Sequence, residues 1–131
     1  MSKIQLVNPP GTEAVYESFK FSQAVVAASR VDVAGQVGVS LADMSIPVDI
    51  KGQARLAFAN LKTVLESAGS SLPSVTQLTM YLTDIRDVAA IDEVFTEFFP
   101  TRYPARTVVQ VVALVLPQLR LEVQASALLD H

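Results

Sequence analysis

Between residues 40 and 50 the hydrophobic pattern of this chain changes period, and that change limits the folds open to it. In RVDV, Arg30 and Asp32 take one side and Val31 and Val33 the other, as in a strand half covered by a core. From Pro47 to Ala68 the apolar residues recur three and four apart, at Ile50, Ala54, Ala57, Leu61, Val64, Leu65 and Ala68. Lys51, Arg55, Lys62 and Glu66 fall off that stripe. Pro47 suits a helix start, and Gly69 suits the position after a helix end. The switch then repeats. VTQLTMYLT, 75 to 83, reads as a strand. Asp84 and Asp87 open a second helical stripe through Val88, Ile91, Val94, Phe95, Phe98 and Phe99, which Pro100 ends.

The rest of the chain has strand character. KIQLV, 3 to 7, is a short strand, and NPPGTE is a turn by composition. Residues 21 to 40 hold two strands, interrupted at Gly35 and Gly38. Gly35 reads as a bend that brings main chain close to a ligand. Residues 105 to 115 and 119 to 128 read as two strands joined through Leu116, Pro117 and Gln118 into an antiparallel hairpin. The expected order is β-β-β-α-β-α-β-β, a single α/β (α+β) domain over residues 1–131. It would have a mixed, mostly antiparallel sheet with two helices on one face. VVQVVALVL, 108 to 116, offers hardly a polar residue to either face, so the face without helices also needs cover. Half of the 131 residues are apolar and only 18% are charged, which favours cover by another copy of the chain.

Charge and residue types exclude several classes of function. The net charge is −3, and the ten basic residues are scattered along the chain. A groove that tracks phosphates needs them clustered, so nucleic acid is not the expected partner. There is no cysteine, and the one histidine is His131. Thiolate catalysis, a histidine base inside the fold and the usual transition-metal sites are therefore excluded. No signal peptide is evident and no apolar run reaches the ~20 residues that span a bilayer. The expectation is a cytoplasmic protein without a membrane partner. Met44 and Met80 read as core. Asp43, Asp49, Glu93 and Glu97 read as solvated or helix-end charges.

Two charged residues stand in apolar strand sequence. In RYPARTVVQV, Pro104 disfavours helix at Tyr103 and leaves Arg106 at a strand start on the sheet rim. A guanidinium there can present paired donors to a carboxylate, or it can be an exposed edge residue or part of a structural ion pair. Glu122 lies in LRLEVQASA, where a carboxylate is costly unless paired, functional or turned to solvent. In a hairpin centred near Leu116 and Pro117, the two sit four or five positions out of register, roughly 15 Å. They need not be cross-strand partners, and a neighbouring subunit could bring them together at one site.

Six segments together resemble the Rid family, the reactive intermediate deaminases also called YjgF-like. PART, 104–107, resembles the family's Pro-Ala-Arg-Ser/Thr signature, and AGQVGV, 34–39, its Ser-Gly-Gln-Ile segment. FSQAV, 21–25, resembles Tyr-Ser-Gln-Ala-Val. QARLAFANLKTVLESAG, 53–69, FTEFFP, 95–100, and LEVQASA, 121–127, fit in the same order. The resemblance covers nearly the whole chain. It implies a homotrimer of chorismate-mutase-like fold with ligand sites between subunits, and hydrolysis of 2-imino acids to 2-keto acids and ammonia. It implies no cofactor and no metal. It also implies that Arg106 clamps the substrate carboxylate, that Glu122 holds the attacking water, and that backbone beside Arg106 orients the imine.

The pocket positions depart from the family pattern. Phe21 stands for the family tyrosine, Ala34 for its serine, Asp92 for a frequent asparagine and Val108 for a small polar residue or cysteine. Together with Gly35 these are the expected ligand-contacting positions, and Tyr16 in TEAVYESFK is a candidate replacement for the lost phenol. The departures leave three readings open: the deaminase, a non-catalytic relative that binds a small carboxylate, and an enzyme for a substrate with a larger apolar group.

Overall fold

The computed structural model describes residues 3–130, so His131 lies outside the described residues. Its elements are β1 (Ile4–Val7), α1 (Glu13–Phe19), β2 (Ala24–Ala27), β3 (Arg30–Val37), α2 (Ile50–Ser67), β4 (Val75–Leu82), α3 (Val88–Phe98), β5 (Ala105–Gln110) and β6 (Leu121–Leu128). The mixed α+β architecture with two long helices on one face is the one the period changes predict.

Helix α2 starts later than Pro47 because Asp49 makes the better cap: its carboxylate accepts the Gly52 N–H at 2.9 Å. The Pro47 carbonyl instead accepts from Gln53 Nε2, also at 2.9 Å. At the other end Gly69 has φ 85°. The Ser70 N–H reaches Leu65 O at 2.9 Å and the Gly69 N–H reaches Glu66 O at 3.2 Å, the paired bonds of a Schellman stop. Before α3, Asp84 caps a 3-10 turn at Ile85–Asp87, while Asp87 makes no cap bond and pairs with Arg120 at 2.9 Å.

The six strands lie in the order β1-β2-β3-β6-β4-β5, and every pairing is antiparallel except β4 with β5. The expected hairpin of the last two strands does not form. β5 runs parallel to β4 on the outside, and β6 inserts between β3 and β4. A strand, a helix and a strand in succession favour this crossover, with α3 spanning from β4 to β5. The strand expected over 105 to 115 stops at Gln110 because β4 ends at Leu82. The Val111 N–H donates to Leu82 O at 2.8 Å, and Gln110 Oε1 accepts the Ile85 N–H at 2.9 Å. The apolar residues beyond leave the sheet, and Val112 and Val115 are exposed.

A short helix stands in TEAVYESFK, outside the two helices expected: α1 is seven residues long, buries none of them fully, and stops at Lys20 with φ 59°. Two turns with so little core contact leave almost no periodic signal.

The core lies on one sheet face. Val31 and Val33 of β3, Leu78 and Met80 of β4, and Val123 and Ala125 of β6 meet Phe58, Leu61 and Leu65 of α2 and Ile91 and Val94 of α3. The opposite face is more polar than VVQVVALVL suggests. Tyr81 Oη and Gln124 Oε1 are 2.9 Å apart, and Ser126 donates to Asp32 at 2.9 Å. No helix among the described residues is long and apolar enough to cross a membrane.

Candidate functional site

Arg106 is the second residue of β5 and aligns with Leu78 of β4, so it points to the helix-covered face. There it meets α3. Asp92 and Phe95 are three residues apart and share a helix face. Arg106 Nη1 donates to Asp92 Oδ1 at 2.7 Å, and the guanidinium carbon lies 4.9 Å from the Phe95 ring centre. The ring fixes the guanidinium plane and the acid holds one corner. No other hydrogen bond to this guanidinium is present among the described residues, so Nε and Nη2 keep their donors. Arg106 and Asp92 line a cleft of about 260 Å³ together with Phe95, Thr96, Tyr103 and Pro104. β5 is an edge strand, so half of its backbone groups also face outward beside Arg106.

Glu122 belongs to a second cavity. It sits between Val37 of β3 and Tyr81 of β4, on the sheet face opposite the core under α2 and α3. The β3–β6 register shifts between Val33 and Gln36, a bulge that contains Ala34 and Gly35. The Glu122 side chain lies across Gly35: a Cβ there would fall 2.6 Å from its carboxyl carbon. The bend expected at Gly35 is present, and the group it admits is this carboxylate. Around it is a mostly apolar cavity of about 370 Å³ whose walls include Val15 and Phe19 of α1, Phe21, Ala34, Leu41 and Met44. The amides of Gln23 and Gln36 bond each other at 2.9 Å. Burial among these groups raises the Glu122 carboxyl above its usual pKa.

The expected site residues thus fall into two sets. Phe21, Ala34, Gly35 and Glu122 share the larger cavity, while Arg106 and Asp92 share the smaller. Val108 aligns with Met80 and packs on the core, outside the lining of either cavity. Tyr16 is not among the lining residues, whereas its helix neighbours Val15 and Phe19 are. Met80 is core as read, but Met44 is 41% exposed and lines the larger cavity. Phe95 beneath Arg106 was read only as core, although its spacing from Asp92 carried the signal. β4 separates the strands of Arg106 and Glu122, about 10 Å across, and their partners Leu78 and Tyr81 are about 10 Å apart along it. The side chains point to opposite faces. Among the described residues no cluster of three or more acidic, histidine or cysteine side chains is arranged to hold a metal ion.

A family model described as Endoribonuclease L-PSP matches residues 11–129. The 2-iminobutanoate/2-iminopropanoate deaminase of Capra hircus is 32% identical over 108 residues, 82% of this chain and 78% of that protein. Among solved structures, Escherichia coli TdcF with bound serine is 35% identical with a TM-score of 0.80, covering 84% of this chain and 88% of that one. Rv2704 of Mycobacterium tuberculosis, described as a member of the YjgF/YER057c/UK114 family, is 30% identical with a TM-score of 0.83, covering 97% and 100%. With the model spanning both cavities and these relatives matching in sequence and fold, the chain belongs to the YjgF/Rid family.

Proposed function

We propose that this protein hydrolyses small 2-imino acids, and the enamines in equilibrium with them, to 2-keto acids and ammonia at sites built between copies of the chain in a homotrimer. The observation that carries the reading is the pairing of functions across two cavities. A pinned guanidinium has donors to spare in one, and a desolvated carboxyl lies in the other. A substrate of about six or seven heavy atoms cannot reach both within one chain, so a second copy supplies one of them. Relatives named as 2-iminobutanoate/2-iminopropanoate deaminases support the reaction type.

Arg106 Nε and Nη2 take the substrate carboxylate, which fixes C2 of the protonated imine. A water held by Glu122 attacks C2, forming the C–O bond and passing a proton to the carboxylate. Glu122 then returns the proton to the amino group of the carbinolamine. As the C–N bond breaks, the Glu122 carboxylate takes the hydroxyl proton, the C2 carbonyl forms, and the departing ammonia carries that proton away as ammonium. A carboxyl whose pKa is raised by burial is suited to carry that proton in both directions. The ribonuclease name of the family model draws no support from the charge layout: Arg30, Lys51, Arg55, Arg86, Arg106 and Arg120 are each paired with an acid.

The apolar walls around Phe21 and Ala34 favour one refinement, a substrate with a larger apolar side chain. The test is a coupled assay in which a serine or threonine dehydratase generates the imine and keto acid appearance is followed. Acceleration that vanishes with Arg106→Ala supports the deaminase. Binding of a 2-keto acid without acceleration points to a non-catalytic binder. Preference for imines of leucine or methionine, generated by an amino acid oxidase with oxygen as oxidant, over the imine formed from serine supports the refinement.

A further inference from the structure

The Arg106 cleft contains a positive and a negative side chain in direct contact, and that combination is a poor receptor for a simple anion. A carboxylate placed on Nε and Nη2 of Arg106 arrives next to Asp92, whose Oδ1 already holds Nη1. Its like charge would oppose the ligand. A ligand that carries a cationic nitrogen one carbon from its carboxylate meets a different environment. Its carboxylate takes the free guanidinium edge, and its N–H groups face the second oxygen of Asp92. Both acid and arginine side chains are partly exposed, 39% and 29%, so a ligand can reach both. Phe95 packs against the guanidinium and lines the same cleft as Asp92, so the pair is held before a ligand arrives and little rearrangement is needed.

We propose that Arg106 and Asp92 together read an α-zwitterion, so that Asp92 selects the protonated 2-imino acid, or the matching α-amino acid, over the 2-keto acid product. This rests on the deaminase reading for the role of Arg106 and adds to it a group that binds substrate and releases product. No other acid of the same chain lines the cleft. The chemistry is balanced: the cation that Asp92 holds is lost when ammonia leaves, and the product is left as a bare anion beside a carboxylate.

The test is a matched pair of stable probes, 2-aminobutanoate and 2-oxobutanoate, titrated calorimetrically into the intact protein and into Asp92→Asn. The asparagine keeps the size of the side chain at a partly exposed position, so folding is preserved, and Asp92→Ala serves as a second variant. The preference for 2-aminobutanoate over 2-oxobutanoate is expected to fall by about tenfold or more in Asp92→Asn, through weaker binding of the amine and equal or tighter binding of the keto acid. An unchanged ratio, with both probes still lost in Arg106→Ala, overturns the role of Asp92 and leaves the clamp standing. Probes that bind equally well to Arg106→Ala overturn the clamp and this inference with it.

Discussion

At the scale of single residues, the proposed chemistry turns on groups held in place before any ligand arrives. Arg106→Ala is expected to lower kcat/KM for imine hydrolysis by about a hundredfold or more while circular dichroism is unchanged, because it removes charge-assisted bonds made to the ligand. Glu122→Gln should reduce kcat more than it alters KM, since the role proposed for the carboxyl is to move protons and that proposed for Arg106 is to bind. Steady-state kinetics on both variants separate these roles. Glu122 also carries a pH signature. Burial raises its pKa in the folded chain, so the folded state holds the proton more tightly than the unfolded one. Its ionisation costs nothing below the ordinary range of a glutamate and weighs against folding as pH climbs through the raised value. Urea midpoints measured from pH 4 to 8 should therefore drop more steeply with rising pH in the parent than in Glu122→Gln. Arg106 and Glu122 were both legible in the sequence as charges in apolar strands, but their geometry was not. Which face each takes depends on strand partners that local sequence does not name.

At the scale of elements, the two long helices were readable and the strand order was not. The stripe of α2, its acid before the first turn and Gly69 after its last are local signals, and they agree with one another. Gly69→Ala should cost about 1–2 kcal/mol in thermal or chemical unfolding, from the left-handed backbone alone. The space beside it is open, with Leu129 at ordinary contact distance. Gly35→Ala is a different case, because its Cβ would occupy the place of the Glu122 carboxyl. Activity is expected to fall towards that of Glu122→Gln with a much smaller change in stability. The hairpin expectation failed because Pro117 and its neighbours look like a turn, whereas residues 111–120 carry the chain from the outer strand β5 back to β6 in the interior of the sheet. An apolar run with a nearby proline does not distinguish a tight hairpin from a long return. The α1 segment was missed because seven residues with no buried side chain leave no periodic mark.

At the scale of the whole molecule, the separation of Arg106 from Glu122 is the central fact. Opposite faces and an intervening strand place them in different cavities of one chain. The exposed valines at 112 and 115 and the exposed Ile4 and Leu6 of edge strand β1 are apolar surface that contact between copies would cover. The measurement that tests the account most directly is subunit complementation. Arg106→Ala and Glu122→Gln proteins, each inactive alone, are unfolded together, refolded as a mixture and assayed for imine hydrolysis. If Arg106 and Glu122 of one site come from different copies, about one quarter of the sites in an equal random mixture regain both groups, and activity should return to about that fraction of the parent. Activity that stays at the sum of the two separate variants, in a mixture shown to have exchanged subunits, would contradict a site built between copies.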